Sequence, residues 1–119
     1  MTRLLKQYPI VVWWATSVEM RSAFERLLRM GQLSAPEHAA AGLRLSRLRR
    51  SWRELQPSEG LRSQAELFLA SYPLKAADSL QLAAAWIWSS GTPQRCTFLS
   101  GDAQLLEAAR QLGFQIVAI

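Results

Sequence analysis

Cysteine occurs once in this chain, at Cys96, and histidine once, at His38. A single cysteine excludes an internal disulfide and a cysteine-based zinc site. A single histidine, set among alanines in a first helical turn, gives no convincing histidine-assisted catalytic triad. Long apolar runs are also missing. The longest, around Leu82 to Trp88, is far too short to span a bilayer. The opening "MTRLLKQYP" has no long apolar core followed by small residues, so it does not read as a secretory signal. No GxGxxG, no phosphate-loop motif, no internal repeat and no low-complexity linker occurs. A cytoplasmic protein is the expectation.

Acid is scarce as well. Nine Asp and Glu face 14 Lys and Arg, a net charge of +5. That balance favours a polyanionic partner, with RNA or DNA the obvious class. The arginines concentrate in "RSAFERLLR" and "RLSRLRRSWR", where solvated helix faces or an acidic partner protein explain them equally well. With 119 residues, half of them hydrophobic, the chain fits one packed domain.

Short strands and helices alternate along it. "PIVVWW", residues 9 to 14, is a continuous apolar run rich in β-branched and aromatic residues, as a buried strand requires. Met20, Ala23, Phe24, Leu27 and Leu28 then mark an amphipathic helix. Thr16 and Glu19 have capping-box spacing, and Gly31 is a helix stop. "SAPE" at 34 to 37 is a second capping box, followed by the apolar stripe Ala41, Leu45, Leu48 and Trp52. "RELQ" at 53 to 56 is a weak strand candidate. "SEGLRSQAELFLASY" places Leu61, Ala65, Phe68 and Tyr72 on one helix face. A further helix runs from about Ala76 to Trp88, and "GTPQR" is a loop. "CTFLS", "GDAQLLEAARQLG" and "FQIVAI" read as strand, helix and strand. Such alternation predicts an α/β fold with a mainly parallel sheet flanked by helices.

The few acids fall at telling places. Ligand sites in parallel α/β sheets form beyond the carboxyl ends of the strands. Glu19 follows the strand at 10 to 14, Asp102 follows the strand ending at Ser100, and Asp78 opens the apolar helix. Converging carboxylates repel unless a cation lies between them. Oxygen-only ligands suit Mg²⁺ or Mn²⁺, and such a site serves phosphodiester hydrolysis. Each residue also has a plain structural role open to it. Glu19 closes a box with Thr16, Asp78 caps its helix with Gln81 three residues on, and Asp102 caps the next. Ser100 either orients a water or phosphate or shapes a turn. Cys96 reads as a small buried hydrophobe, and the tryptophans at 13, 14, 86 and 88 as core or partner surface.

"LKAADSLQLAAA", "FLSGDAQLLEAARQLGF" and "VVWWATSVEMRSAFERLLRMGQLS" together resemble the PIN domain, in the form of the VapC-type toxins. The similarity runs over nearly the whole chain, as a single domain over residues 1–119, and three motifs agree in order and spacing. The resemblance implies a three-layer fold with strand order 3-2-1-4-5. It implies a cytoplasmic, Mg²⁺- or Mn²⁺-dependent endonuclease of single-stranded RNA, often a homodimer, inhibited by a small antitoxin protein. Glu19, Asp78 and Asp102 then match the second, third and fourth acidic residues of the family's site, and Ser100 its accessory hydroxyl. The family's first strand and its aspartate have no counterpart: residues 3 to 7 resemble the end of the first helix, and no acid precedes Glu19. The domain therefore reads as N-terminally shortened, and the strands at 10 to 14 and 96 to 100 each lose a shared neighbour and keep an open edge. A shortened PIN-like chain without activity, retaining a partner-binding or dimerisation surface, is the alternative. A nucleic-acid-binding module without chemistry is the third.

Overall fold

Helices and short strands alternate along residues 10–119, the part of the chain that the computed structural model describes. The end of a helix expected at residues 3 to 7 lies outside that part. In order come β1 (Val11–Trp13), α1 (Thr16–Arg29), α2 (Ala35–Ser51), β2 (Arg53–Leu55), α3 (Glu59–Ser71), α4 (Ala76–Trp88), a 3₁₀ turn (Pro93–Arg95), β3 (Thr97–Ser100), α5 (Ala103–Leu112) and β4 (Gln115–Ala118). The architecture is mixed α/β, and both strand pairings are parallel, β1 with β2 and β3 with β4.

The described strands form two two-stranded sheets rather than one. Backbone polarity shows where each stops. Arg53 N–H donates to Ile10 C=O and Trp14 N–H to Leu55 C=O, both at 2.9 Å. In a parallel ladder alternate residues bond to the same side. Ile10, Val12 and Trp14 therefore serve β2, while Val11 and Trp13 turn their amides to the other edge. In the same way Gln115 N–H reaches Cys96 C=O and Ile119 N–H reaches Ser100 C=O, both at 3.1 Å, which leaves Thr97 and Leu99 turned away from β4. Among the described residues no strand receives either edge.

One apolar cluster joins α3, α4, α5 and both sheets. Leu61, Phe68, Leu82, Phe98, Leu105, Leu106 and Phe114 are its large buried members, with Trp13 and Leu55 packed against it. The helical stripes on 61, 65 and 68 and on 105, 106 and 109 point inward as their spacing dictates. α3 and α4 approach closely because small residues line their seam. Ala65, Ala83 and Ser79 are all buried there, and the Ser79 hydroxyl donates to Ala65 C=O at 2.6 Å. Ser79→Ala removes that bond and is expected to cost about 1 kcal/mol, read as a lower midpoint in urea unfolding with an unchanged slope.

The helix ends divide into correct and incorrect expectations. Ser34 and Glu37 form the expected reciprocal capping box at the start of α2. Gly31 and Gly113 take the left-handed φ values, +74° and +108°, that end α1 and α5. The expected Thr16–Glu19 box is absent: the N-cap of α1 is Ala15, and no side chain caps it. The Glu19 carboxylate is engaged elsewhere. Asp78 is not a cap either, since α4 begins after Lys75 and Asp78 falls in its first turn. The "GTPQR" loop contains the 3₁₀ turn.

α1 and α2 form a hairpin that stands largely on its own. Only Ser17 on α1 and Leu45 on α2 are fully buried. His38 Nε2 and Glu25 Oε1, 2.8 Å apart, tie the two helices.

Candidate active site

Three segments deliver acids to one region. β1 ends in Trp13, and the first turn of α1 then carries Glu19. β3 ends in Ser100, and Asp102 starts α5. α4 enters from Lys75 with Asp78 in its first turn, where a carboxylate also suits the positive end of the helix dipole.

Glu19 is held at both oxygens. Trp13 Nε1–H donates to Oε1 at 3.1 Å, and Gln81 Nε2–H donates to Oε2 at 3.2 Å. These contacts cross from α1 to β1 and to α4, so they fix the carboxylate against the core side of its helix. They also explain the missing capping box, since a carboxylate aimed at Trp13 and Gln81 cannot turn back to the start of α1. Gln81 lies three residues after Asp78, on the same face of α4.

Asp102 is the N-cap of α5, as expected. Its Oδ1 accepts from Leu105 N–H at 2.9 Å, and its own N–H donates to Ser100 Oγ at 3.0 Å. Ser100 therefore shapes the turn into α5. Asp78 is half-buried. Burial first, and then the negative charge of Asp102, hold its carboxyl above the usual aspartate range, against the smaller opposite pull of Lys75. The charge of Asp102 thus acts on Asp78, the only other aspartate of the chain, and Lys75 offsets it only in part.

The donor set is oxygen-only and anionic, which fits a hard divalent ion at the Asp78–Asp102 pair. Glu19 does not complete a three-ligand group. Among the described residues no three His, Cys, Asp or Glu side chains stand close enough to hold an ion together. The structure brings Asp78 and Asp102 into one field and places Glu19 one turn of α4 away, tied through Gln81.

Two residues of this region had other expected roles, Trp13 as core or partner surface and Gln81 as part of a cap at Asp78; both instead donate to Glu19. The i, i+3 spacing of Asp78 and Gln81 was the available signal for the second. Next to Trp13 lies a hollow of about 440 Å³, lined also by Pro57, Leu61, Leu80 and the Glu59–Arg62 ion pair.

Compared with family models, with curated proteins and with solved structures, the chain gives no significant match. No described helix is long and apolar enough to cross a membrane.

Proposed function

We propose that the chain is a divalent-metal-dependent endonuclease of single-stranded RNA of the PIN type, acting in the cytoplasm as a VapC-like toxin, with a homodimeric state and a small antitoxin protein as partner. The observation that carries the proposal is the Asp78–Asp102 pair with Glu19 tied beside it through Gln81. Support also comes from strand order. The parallel pairs β1–β2 and β3–β4 fit the outer positions of a 3-2-1-4-5 sheet, with both unfilled edges on the strands that flank its centre.

In this function Asp78 and Asp102 would hold the ion, and the Trp13 and Gln81 hydrogen bonds keep the Glu19 carboxylate in one orientation. A bound Mg²⁺ or Mn²⁺ would supply a water of lowered pKa and neutralise charge on the phosphodiester. The Ser100 hydroxyl accepts from Asp102 N–H and keeps its own proton to donate to a phosphate oxygen. The hollow beside Trp13 offers an apolar seat for a neighbouring base.

Asp102→Asn tests this cleanly. Asparagine keeps an N-cap oxygen, so α5 stays capped, while the charge is lost. Labelled single-stranded RNA should be cut by wild type with Mg²⁺ or Mn²⁺ and not in EDTA, and the D102N protein should lose at least about 100-fold of the rate. Equal cleavage by the D102N protein overturns the proposal.

The alternative, a PIN-like binding protein without activity, is favoured by one observation: no three-acid group among the described residues. Calorimetry separates the two. Mg²⁺ or Mn²⁺ binding at micromolar strength counts against the alternative, and no detectable binding together with co-purification of a small partner supports it.

A further inference from the structure

The α1–α2 hairpin, residues 16 to 51, holds seven arginines and three glutamates, so it contributes four of the chain's five net positive charges. Its acids are occupied. Glu19 receives Trp13 and Gln81, Glu25 meets His38, and Glu37 closes the capping box of Ser34. Between the two helices lies a hollow of about 270 Å³ lined by Arg21, Leu45, Ser46, Arg49 and Arg50. Leu45, 1 % exposed, forms its floor. Ser46, Arg49 and Arg50 are spaced i, i+3, i+4 and so share one face of α2. Arg21 comes across from α1. Its Nη1 lies 3.6 Å from where a Cβ of Gly42 would stand, one turn of α2 before Ser46. Among the described residues none of these three guanidinium groups has an ion-pair partner; the pairs present are His38–Glu25, Arg62–Glu59 and Arg110–Glu107.

Three permanent charges gathered without a counter-ion repel one another, and nothing in the apolar floor rewards their meeting. An anion does. Guanidinium forks arriving from two helices can donate to the non-bridging oxygens of a tetrahedral phosphodiester from several directions, whereas the acceptor lone pairs of a carboxylate lie in one plane. Arg47 and Arg44 continue along exposed positions of α2 at the same three-residue spacing, which suits a polymer of repeated phosphates rather than a lone ion.

We infer that the hollow between α1 and α2 is a phosphate-binding site that seats a backbone phosphodiester of a nucleic-acid strand, with Arg21, Arg49 and Arg50 as donors and Ser46 as a hydroxyl partner. The choice of single-stranded RNA as that strand rests on the proposed function; the phosphate site itself does not, because none of its residues belongs to the acid cluster.

The test measures binding in EDTA, where cleavage plays no part. A labelled 12-nucleotide single-stranded RNA is titrated with wild type, with the triple variant Arg21→Gln, Arg49→Gln, Arg50→Gln, and with a control triple at exposed positions, Arg53→Gln, Arg95→Gln, Arg110→Gln, that removes the same charge elsewhere. Three phosphate contacts at about 0.7 each give a salt slope of about two. The hollow triple should therefore bind about tenfold or more weakly near 0.1 M salt and lose about two from the slope, while the control changes less than threefold. Ser46→Glu gives a second arm. It places a carboxylate among the arginines at favourable i, i+3 and i, i+4 spacing, which supports the helix, and it should weaken RNA binding to a similar degree. Equal losses in the control triple, an unchanged salt slope, or a glutamate 12-mer peptide bound as tightly as RNA would each overturn the assignment. RNA binding lost in the hollow variants with Mg²⁺ affinity intact supports this site whatever the carboxylates do.

Discussion

Asp78→Asn is expected to remove divalent-dependent RNA cleavage, by about 100- to 1000-fold, and in the same protein to raise thermal stability. The two effects share one cause. Asp78 is half-buried beside another carboxylate, so its charged form is disfavoured in the fold. An ion between the two acids relieves that repulsion; an uncharged amide relieves it permanently but leaves one anionic ligand too few. The helix dipole works the other way, since an acid in the first turn of α4 is favourable there. Because burial and Asp102 outweigh that help and Lys75, the net gain is modest, about 2 °C in midpoint. The pH dependence has a definite sign. An aspartate raised in the fold binds its proton more tightly there than in the unfolded chain. Its contribution to stability therefore falls as pH rises from the ordinary aspartate range through the raised one, and the D78N protein lacks that fall. Thermal melts with and without Mg²⁺ check the cause. Wild type should gain stability on adding Mg²⁺ and the D78N protein should not. A variant that loses activity and stability together would mark Asp78 as a structural residue instead.

Sequence and structure agree best where one periodicity dominates. The apolar stripe of α3 and the helix of Asp78 were legible to within a residue or two, because their spacing and their proline and glycine borders all point the same way. The paired strands were legible too, including the weak β2, since short apolar or mixed runs bounded by turns leave little else. Helix N-termini were less so. Ser34 and Glu37 do form their box, because both side chains are exposed and meet no competitor. Thr16 and Glu19 have the same spacing without the box, because Trp13 and Gln81 claim the carboxylate. Capping signals are local, while the Gln81–Glu19 contact spans 62 positions. Strand patterns alone predicted one sheet; the break between the strands at 10 to 14 and 96 to 100 was legible only through the missing first strand of the resemblance. Local patterns give strands, but which edges meet depends on partners far along the chain. Asp102 shows both levels at once: the cap was readable, and only the fold shows that its charge reaches Asp78.

Leu82→Ala should be the most damaging single truncation, costing about 3–5 kcal/mol. Leu82 is fully buried in α4, in the apolar cluster that α4 shares with α3 and α5. Its neighbours cannot collapse into the space it leaves. Ala83 and Ala84 beside it, Ala65 on α3 and Ala109 on α5 are already small, and the backbones that carry them are held close by the Ser79–Ala65 bond. A cavity therefore remains, and the cavity part of the penalty is near its upper end. A domain of this size has about twice that stability in total, so the midpoint should drop by roughly 12–20 °C while the chain still folds at low temperature. The same helix carries Asp78 one turn before Leu82 and Gln81 immediately before it. If α4 positions those groups as a rigid rod, the L82A protein at 10 °C keeps its Mg²⁺ response and loses it only as the chain unfolds. A loss of less than 1 kcal/mol would mean that α3 and α5 do close over the gap. The small-residue seam would then be looser than its packing indicates.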